Sequence, residues 1–171
     1  MTDLNYTAKE LAAEIKAELQ SNIEGEVRFD AFTRTLYSTD ASIYQIQPLG
    51  VIIPRRTEDV IAAVTIASRH RIPLLPRGGG SSQAGQTVGT ALVIDFSRHL
   101  DQIIEVNVEE RWARVQPGLT LSTLNQHLAT AGLKFGPDPS SGNRACLGGI
   151  VGNNARSTHE RERGFQTDPF Y

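Results

Sequence analysis

One glycine-rich stretch limits what this chain can fold into more than any other part of the sequence. The stretch, PRGGGSSQAGQTVG, begins at Pro76 and ends at Gly89. It lies between two short apolar runs, IPLLP and ALVIDF, which are typical of buried strands. Three consecutive glycines cost backbone entropy that an ordinary turn does not require. We therefore expect another group to approach this backbone so closely that side chains are excluded.

The loop has the composition of an anion-binding cradle, in which successive N–H groups point at a phosphate and no Cβ blocks the approach. Two familiar phosphate loops do not fit. A P-loop requires Gly-Lys-Ser/Thr, but Gly80 is followed by Ser81, and the Rossmann fingerprint requires a glycine where Gln83 stands. Because a strand follows, no helix dipole would support the anion. A tight glycine turn without a ligand remains the alternative.

The first half of the chain predicts a parallel βαβ unit. Residues 7–21 have the pattern of a surface helix, with Thr7 as its cap and Leu11, Ile15 and Leu19 on one face. LGVIIP predicts a buried strand, and IPLLP and ALVIDF predict two more. Between the first two strands we expect a helix that Thr57 caps. The apolar face of this helix is predicted to consist of Val60, Ile61, Val64 and Ala67.

The second half predicts antiparallel structure. The run QIIEVNVEERWARVQPG has two apolar segments close together, which favours a hairpin. Thr120 is expected to open a helix whose inner face carries leucines at positions 121, 124 and 128. Gly132 would end that helix in a left-handed conformation. The fold class is therefore α+β, with a small parallel βαβ subdomain and the start of a second, mostly antiparallel subdomain.

The overall composition excludes several classes of function. The 171 residues carry a net charge of −2, so no broad basic surface would attract nucleic acid. No stretch has the length of a membrane span, and no signal-type apolar run occurs. The single cysteine, Cys146, excludes an internal disulfide and suits a cytoplasmic location. The four histidines lack metal-ligand spacing, and no nucleophile–base pair stands out, so we expect no metal and no catalytic residue here.

Five segments in this order and spacing closely resemble the FAD-linked oxidases, the family with the PCMH-type flavin domain of vanillyl-alcohol oxidase. The segments are PRGGGSSQAGQ, LVIDFSRHLDQIIEVN, VQPGLTLSTLNQHL, GPDPSS and LGGIVGNNA. An earlier segment, STDASIYQIQPLGVIIPRRTEDV, favours the bacterial D-lactate, glycolate and 2-hydroxyglutarate dehydrogenases that carry an iron–sulfur domain. The resemblance implies three regions: an N-terminal helical extension at 1–32, a truncated FAD-binding domain at 33–155 and a non-family tail at 156–171.

The resemblance also implies which residues bind FAD. The first group would wrap the diphosphate through loop amides: Arg77, Gly78, Gly79, Gly80, Ser81, Ser82, Gln83, Gly85 and Gln86. A second group would lie along the cofactor near the flavin: Pro137, Asp138, Pro139, Ser140 and Ser141. A third would form a second close approach of backbone to cofactor: Gly148, Gly149, Gly152, Asn153 and Asn154. Ser81 stands where some relatives attach FAD through histidine, so we expect non-covalent FAD.

By the same resemblance, the parent reaction is oxidation of a small 2-hydroxy acid by hydride transfer to flavin. The substrate site, the proton-accepting base and an iron–sulfur electron acceptor are expected in the C-terminal part of full-length relatives. The sequence RSTHERERGFQTDPFY after Ala155 departs from the family, which predicts a truncated or frameshifted chain that is inactive alone. A natural charged C-terminal tail is the alternative. Two alternatives stay open: a non-catalytic flavin- or nucleotide-binding module, and a flavin reductase of sugar-nucleotide metabolism with the same fold.

Overall fold

The structure is a computed structural model that describes residues 8–155, and the predicted tail lies outside this range. The chain divides into two compact units. Within the described range, the first takes in residues 8–77 together with Ser82–Asp95. The second takes in Gly78–Ser81 and residues 96–155. The glycine-rich loop therefore contributes to both units, and the predicted boundaries at residues 32 and 155 stay predictions.

The first unit is built on a four-stranded sheet with helices around it. Its sheet order is β1-β2-β4-β3, with β1 antiparallel to β2 and with β2, β4 and β3 mutually parallel. Every residue of β2 and β4 is buried, because these are the two central strands. The elements in chain order are α1 (Ala8–Asn22), β1 (Glu26–Arg28), α2 (Ala31–Leu36), β2 (Gly50–Ile53), α3 (Thr57–Arg69), β3 (Leu74–Arg77) and β4 (Leu92–Asp95).

The predicted βαβ unit is confirmed, and two elements join it that the sequence did not predict. Strand β1 lies within the segment expected to be a helical extension, and it pairs with β2 along its whole length. Helix α2 lies between the predicted N-terminal helix and the first predicted strand, where the sequence predicted no element. Asp30 caps α2 by accepting a hydrogen bond from the Thr33 N–H at 2.9 Å. Both elements are short, so neither gives a periodic pattern long enough to recognise.

The buried face of helix α3 matches the predicted face only at Ala67. The buried residues are Asp59, Ala63, Ile66 and Ala67, whereas Ile61 is 60% and Val64 is 46% exposed. The fully buried carboxylate of Asp59 accepts hydrogen bonds from the N–H groups of Glu24, Gly25 and Arg55, at 2.8 to 3.0 Å. These bonds fix the rotation of the helix, and no apolar pattern could reveal them.

The predicted cap of α3 was also wrong. Thr57 is the first residue of the helix, and Arg56, which flanks it, makes no side-chain capping bond. The acceptor in the first turn is Asp59. Its reach back to residue 55 resembles the glutamate of a capping box, which satisfies N–H groups before the helix. At the other end of the helix, His70 Nε2 lies 2.7 Å from Glu18 of α1, and Arg69 pairs with the same carboxylate.

The second unit contains the predicted hairpin and helix. Strands β5 (Ile103–Asn107) and β6 (Trp112–Val115) pair antiparallel, and α4 (Leu121–Leu128) follows. Thr120 caps α4, the three predicted leucines are buried, and Gly132 is left-handed with φ 69°. A short helix that the sequence did not predict, α5 (Leu147–Gly152), completes the unit. Its Leu147 joins the core formed by Leu119, Leu124 and Leu128.

Candidate cofactor-binding site

The glycine-rich loop begins where β3 ends. Arg77 is the last residue of β3 and pairs in register with Asp95, the last residue of β4. These two strands are parallel, so their carboxyl ends meet at one edge of the sheet. Ligands of open sheets with parallel strands bind at such edges. No helix forms between residues 78 and 91, as the sequence predicted.

Gly78 and Gly79 are glycines because the protein's own chain lies against them. A Cβ on Gly79 would lie 2.1 Å from the carbonyl oxygen of Arg144, and one on Gly78 would lie 2.8 Å from Cβ of Cys146. All four residues belong to the second unit. The structure therefore brings the start of the glycine-rich loop against Arg144 and Cys146, which come just before the LGGIVGNNA segment. The group that excludes side chains at Gly78 and Gly79 is this internal partner.

Two other glycines in the loop are required by backbone conformation. Gly80 has φ 63° and Gly85 has φ 79°, in the left-handed region that side chains disfavour. Gly85 also faces the ring of Tyr44, whose Cδ2 would lie 2.7 Å from an added Cβ. These two positions therefore shape the loop itself.

The middle of the loop offers a run of N–H groups without protein partners. No residue between 8 and 155 accepts a hydrogen bond from the backbone N–H of any of the five consecutive residues from Gly79 to Gln83. The next N–H, that of Ala84, bonds to Oε1 of Gln86 at 3.2 Å. A run of this kind is what an anion such as a diphosphate requires.

The glycines of the second glycine segment, LGGIVGNNA at residues 147–155, have different surroundings. Gly148 lies against Pro117, whose Cβ would be 2.8 Å from an added Cβ, and its N–H bonds to the Pro117 carbonyl at 2.9 Å. No atom of the described residues lies within 4 Å of a Cβ added to Gly149 or Gly152, so this part of the chain leaves open space beside them. Asn154 has φ 46° and ends the segment in a left-handed turn. Only Gly149 and Gly152 leave backbone surface clear for a ligand.

The segment predicted to lie along the cofactor forms a turn that leads into α5. Pro139 O accepts from the Gly142 N–H, and Ser141 O accepts from the N–H groups of Arg144 and Ala145. Asp138 is paired with Lys134, whose Nζ lies 2.8 Å from its carboxylate. The serines keep their side chains at least partly accessible.

Arg77 uses its guanidinium to hold the protein together. It donates to the carbonyl oxygens of Tyr37, Thr39 and Thr87, at 2.8 to 3.4 Å, and lies over the Tyr37 ring. The sequence indicated Arg77 as a residue at the diphosphate but missed these partners. Two of these partners, Tyr37 and Thr39, lie in the sequence YSTDASIY. We used most of that sequence only as evidence for the subgroup of the family.

Other kinds of site have no support in the described part of the chain. Within residues 8–155, no cluster of three or more His, Cys, Asp or Glu side chains could hold a metal ion. The thiol of Cys146 is buried, and its Sγ lies 3.7 Å from the Arg144 carbonyl oxygen. No helix within this range is long and apolar enough to cross a membrane.

Comparison with known proteins identifies the family. Residues 48–168 match the sequence pattern of the FAD binding domain, so the chain belongs to the FAD binding domain family. The matched range extends past Ala155, where we expected the resemblance to end. The predicted family, fold class and cofactor are thereby confirmed.

Individual relatives agree with this assignment. A D-2-hydroxyglutarate dehydrogenase of Pseudomonas putida is 40% identical over 144 residues, which cover 82% of this chain and 14% of that protein. The glycolate oxidase subunit GlcD of Bacillus subtilis is 34% identical over 163 residues, which cover 92% of this chain and 34% of that protein. The solved structure of an alkyldihydroxyacetonephosphate synthase is similar in fold, with a TM-score of 0.78 at 22% identity over 89% of this chain and 34% of that one. The chain thus spans a minor part of the proteins it matches.

The residues present fit FAD. The cofactor carries a diphosphate, for which the unbonded N–H groups of residues 79–83 are suitable donors. Gly149 and Gly152 leave space beside backbone that a larger residue would occupy. The individual binding residues named from the sequence stay predictions.

Proposed function

We propose that this chain is the FAD-binding part of a flavoprotein that oxidises a 2-hydroxy acid of the D-lactate, glycolate or D-2-hydroxyglutarate type. The observation that carries the cofactor site is the run of unbonded N–H groups from Gly79 to Gln83. The substrate class is supported by the names of the relatives. We keep a cytoplasmic location as part of the proposal, because a single cysteine cannot form the internal disulfides typical of oxidising compartments.

The residues of this chain have a binding and orienting role in the proposal. Bound FAD would supply the redox chemistry by accepting the hydride that the α-carbon of the substrate loses. The loop amides would hold the diphosphate, and the open backbone at Gly149 and Gly152 would admit the rest of the cofactor. We assign no catalytic base to the chain, and we propose that FAD is held without a covalent bond.

The first test is FAD binding by the purified chain, measured from flavin absorbance and fluorescence. Gly149→Glu places a negative charge in the open space of the proposed site, and we expect it to raise the Kd of FAD by about tenfold or more. Val151→Glu is the matched control, because it adds the same charge to exposed surface of the same helix. Equal effects of the two variants would contradict the site.

Two further measurements use the same sample. Acid denaturation followed by filtration should separate the yellow colour from the polypeptide, and colour that stays with the protein would contradict non-covalent binding. Anaerobic addition of D-lactate, glycolate or D-2-hydroxyglutarate tests the substrate class by bleaching of the flavin. Bound FAD that none of the three acids bleaches would favour the alternative, a non-catalytic flavin-binding module.

A further inference from the structure

The YSTDASIY segment, residues 37–44, lies against the second half of the glycine-rich loop, residues 82–88, and all of these residues belong to the first unit. Asp40 makes the central contact. Its Oδ2 accepts hydrogen bonds from Oγ1 and N–H of Thr87, at 3.0 and 3.4 Å, and its Oδ1 accepts from the Ser42 N–H at 2.9 Å. Burial by itself would raise the pKa of Asp40, but the bonds from Ser42 and Thr87 outweigh burial and lower it. The carboxylate is therefore a charged acceptor.

Arg77 makes a second connection between segment and loop. Its Nη2 donates to the Thr39 carbonyl at 2.8 Å, while its Nη1 donates to the Thr87 carbonyl at 3.0 Å. The rigid guanidinium of Arg77 thus links a carbonyl of the YSTDASIY segment to a carbonyl of the loop. Thr87 is fixed through its N–H, its hydroxyl and its carbonyl together.

The segment is anchored to the sheet at its first residue. The hydroxyl of Tyr37 donates to Oδ2 of Asp95 at 2.5 Å, and Asp95 ends the buried strand β4 with only 4% of its surface exposed. The ring of Tyr37 also lies under Arg77, 5.3 Å from the guanidinium carbon. The anchor makes the segment a firm support for the loop.

Tyr44 supports the loop at the other end of the segment. Its ring lies against Gly85 so closely that any side chain there would meet it. The loop has few bonds of its own: Ala84 N–H to Gln86, and a long bond of 3.4 Å from Val88 N–H to the Gly85 carbonyl. A loop so poor in internal bonds would lose much conformational entropy if a ligand had to order it.

We propose that the YSTDASIY segment is a positioning element that holds residues 82–88 in the conformation needed for FAD, with the Asp40–Thr87 contact as its main connection. The inference rests on the proposed function. The segment orders the loop before the cofactor arrives, and order made in advance reduces the cost of binding. Asp40 and Thr87 act on the cofactor only through the loop.

The chain offers a matched control for this contact. Asp30 and Thr33 form the same pair at the start of α2, where Oδ1 accepts from the Thr33 N–H and Oδ2 from its hydroxyl, both at 2.9 Å. This pair does not bond to the loop. Thr87→Val and Thr33→Val therefore remove the same hydroxyl from the same kind of acceptor, and Asp40→Asn and Asp30→Asn form a second matched set.

The experiment measures FAD affinity and, in the FAD-free chain, hydrogen–deuterium exchange of peptides that cover residues 79–90. We expect Thr87→Val and Asp40→Asn to speed exchange in these peptides and to raise the Kd of FAD by roughly tenfold. Thr87→Ser, which keeps the hydroxyl, should restore both values. The Asp30 and Thr33 variants should leave both unchanged, even where they lower the melting temperature.

Each result separates this inference from the proposed function. If the unaltered chain binds FAD but Thr87→Val and Asp40→Asn bind it equally well, the positioning role is wrong and the proposed function stands. Faster exchange without weaker binding would also overturn the positioning role. If the unaltered chain binds no FAD, the proposed function fails, and the inference fails with it. If the Kd of FAD rose equally in the Thr33→Val control, the effect would reflect the stability of the chain in general, and the positioning role would be wrong.

Discussion

At the scale of single residues, the glycines of the two glycine-rich segments are present for different physical reasons. Gly79 leaves room for the Arg144 carbonyl, Gly85 needs a left-handed backbone, and Gly149 has open space around it. The same letter in the sequence therefore reports internal packing at one place, backbone shape at another and free surface at a third. Substitution by alanine distinguishes these cases.

Gly79→Ala and Gly149→Ala should change stability in opposite directions. The added Cβ at position 79 would lie 2.1 Å from a carbonyl oxygen, so backbone must shift, and we expect a loss on the order of 1–3 kcal/mol. At position 149 the methyl group meets nothing, and alanine in helix α5 should gain about 0.5–1 kcal/mol. Urea unfolding of both variants measures the difference. A loss of similar size at both positions would contradict the packing described for Gly79.

At the scale of elements, a polar side chain decides how helix α3 sits. Asp59 is buried, and its carboxylate ties the first turn of α3 to Glu24, Gly25 and Arg55. The bonds join the end of α1, the start of β1 and the turn after β2 at one point. Removal of this acceptor would leave three N–H groups unsatisfied, and each such group costs free energy.

Asp59→Ala should lower the free energy of unfolding by about 3 kcal/mol, because it leaves three N–H groups without their acceptor. Glu58→Ala is the matched control in the same turn. Its carboxylate is exposed and lies 3.9 Å from Arg56 Nε, so its loss should cost less than about 0.5 kcal/mol. Chemical unfolding at neutral pH measures both, and equal losses would contradict the role of Asp59.

The same carboxylate makes stability depend on pH. Burial would raise the pKa of Asp59, but the N–H bonds from Arg55, Glu24 and Gly25 outweigh it and lower the pKa. Since the folded pKa lies below the unfolded one, the stabilisation is complete above about pH 4 and is lost as pH falls through the folded pKa. Urea midpoints measured across this range should fall in the unaltered chain and fall less in Asp59→Ala.

At the scale of the whole molecule, the fold is that of an FAD binding domain, although the chain spans 14% of the length of the D-2-hydroxyglutarate dehydrogenase it matches. A cofactor that binds only the folded chain must stabilise it. The N–H groups of residues 79–83 are the part of the chain that we propose for the diphosphate.

FAD at one hundred times its Kd should raise the free energy of unfolding by about 2.7 kcal/mol. Riboflavin is the comparison ligand, because it has the flavin ring but neither the diphosphate nor the adenosine of FAD. At the same concentration it should stabilise the chain much less if the N–H groups of residues 79–83 bind the diphosphate. Thermal unfolding over a series of concentrations measures both ligands. Equal stabilisation by the two would contradict a diphosphate site in the loop.

Much of the fold was predictable because its signals are local. Thr120 and Gly132 mark the two ends of the helical region around α4, and the apolar runs mark β2, β3 and β4. Helix α5 was not predictable, since LGGIVG has poor helix propensity. It is held by buried Leu147 and Ile150 and by the bonds of its first N–H groups to Leu119 and Pro117. Strand β1 likewise depends on its pairing with β2.

The sequence by itself determined the family, the strand–helix–strand order and the position of a loop suited to an anion. The family follows from the resemblance of five ordered segments to known members, while the element order and the loop follow from the periodicity and composition of neighbouring residues. Only the tertiary structure decided that Arg144 and Cys146 fill the space beside Gly79 and Gly78, and that Asp40 and Arg77 hold Thr87. Such contacts join residues far apart in the chain, and their free energy depends on distances that exist only after folding.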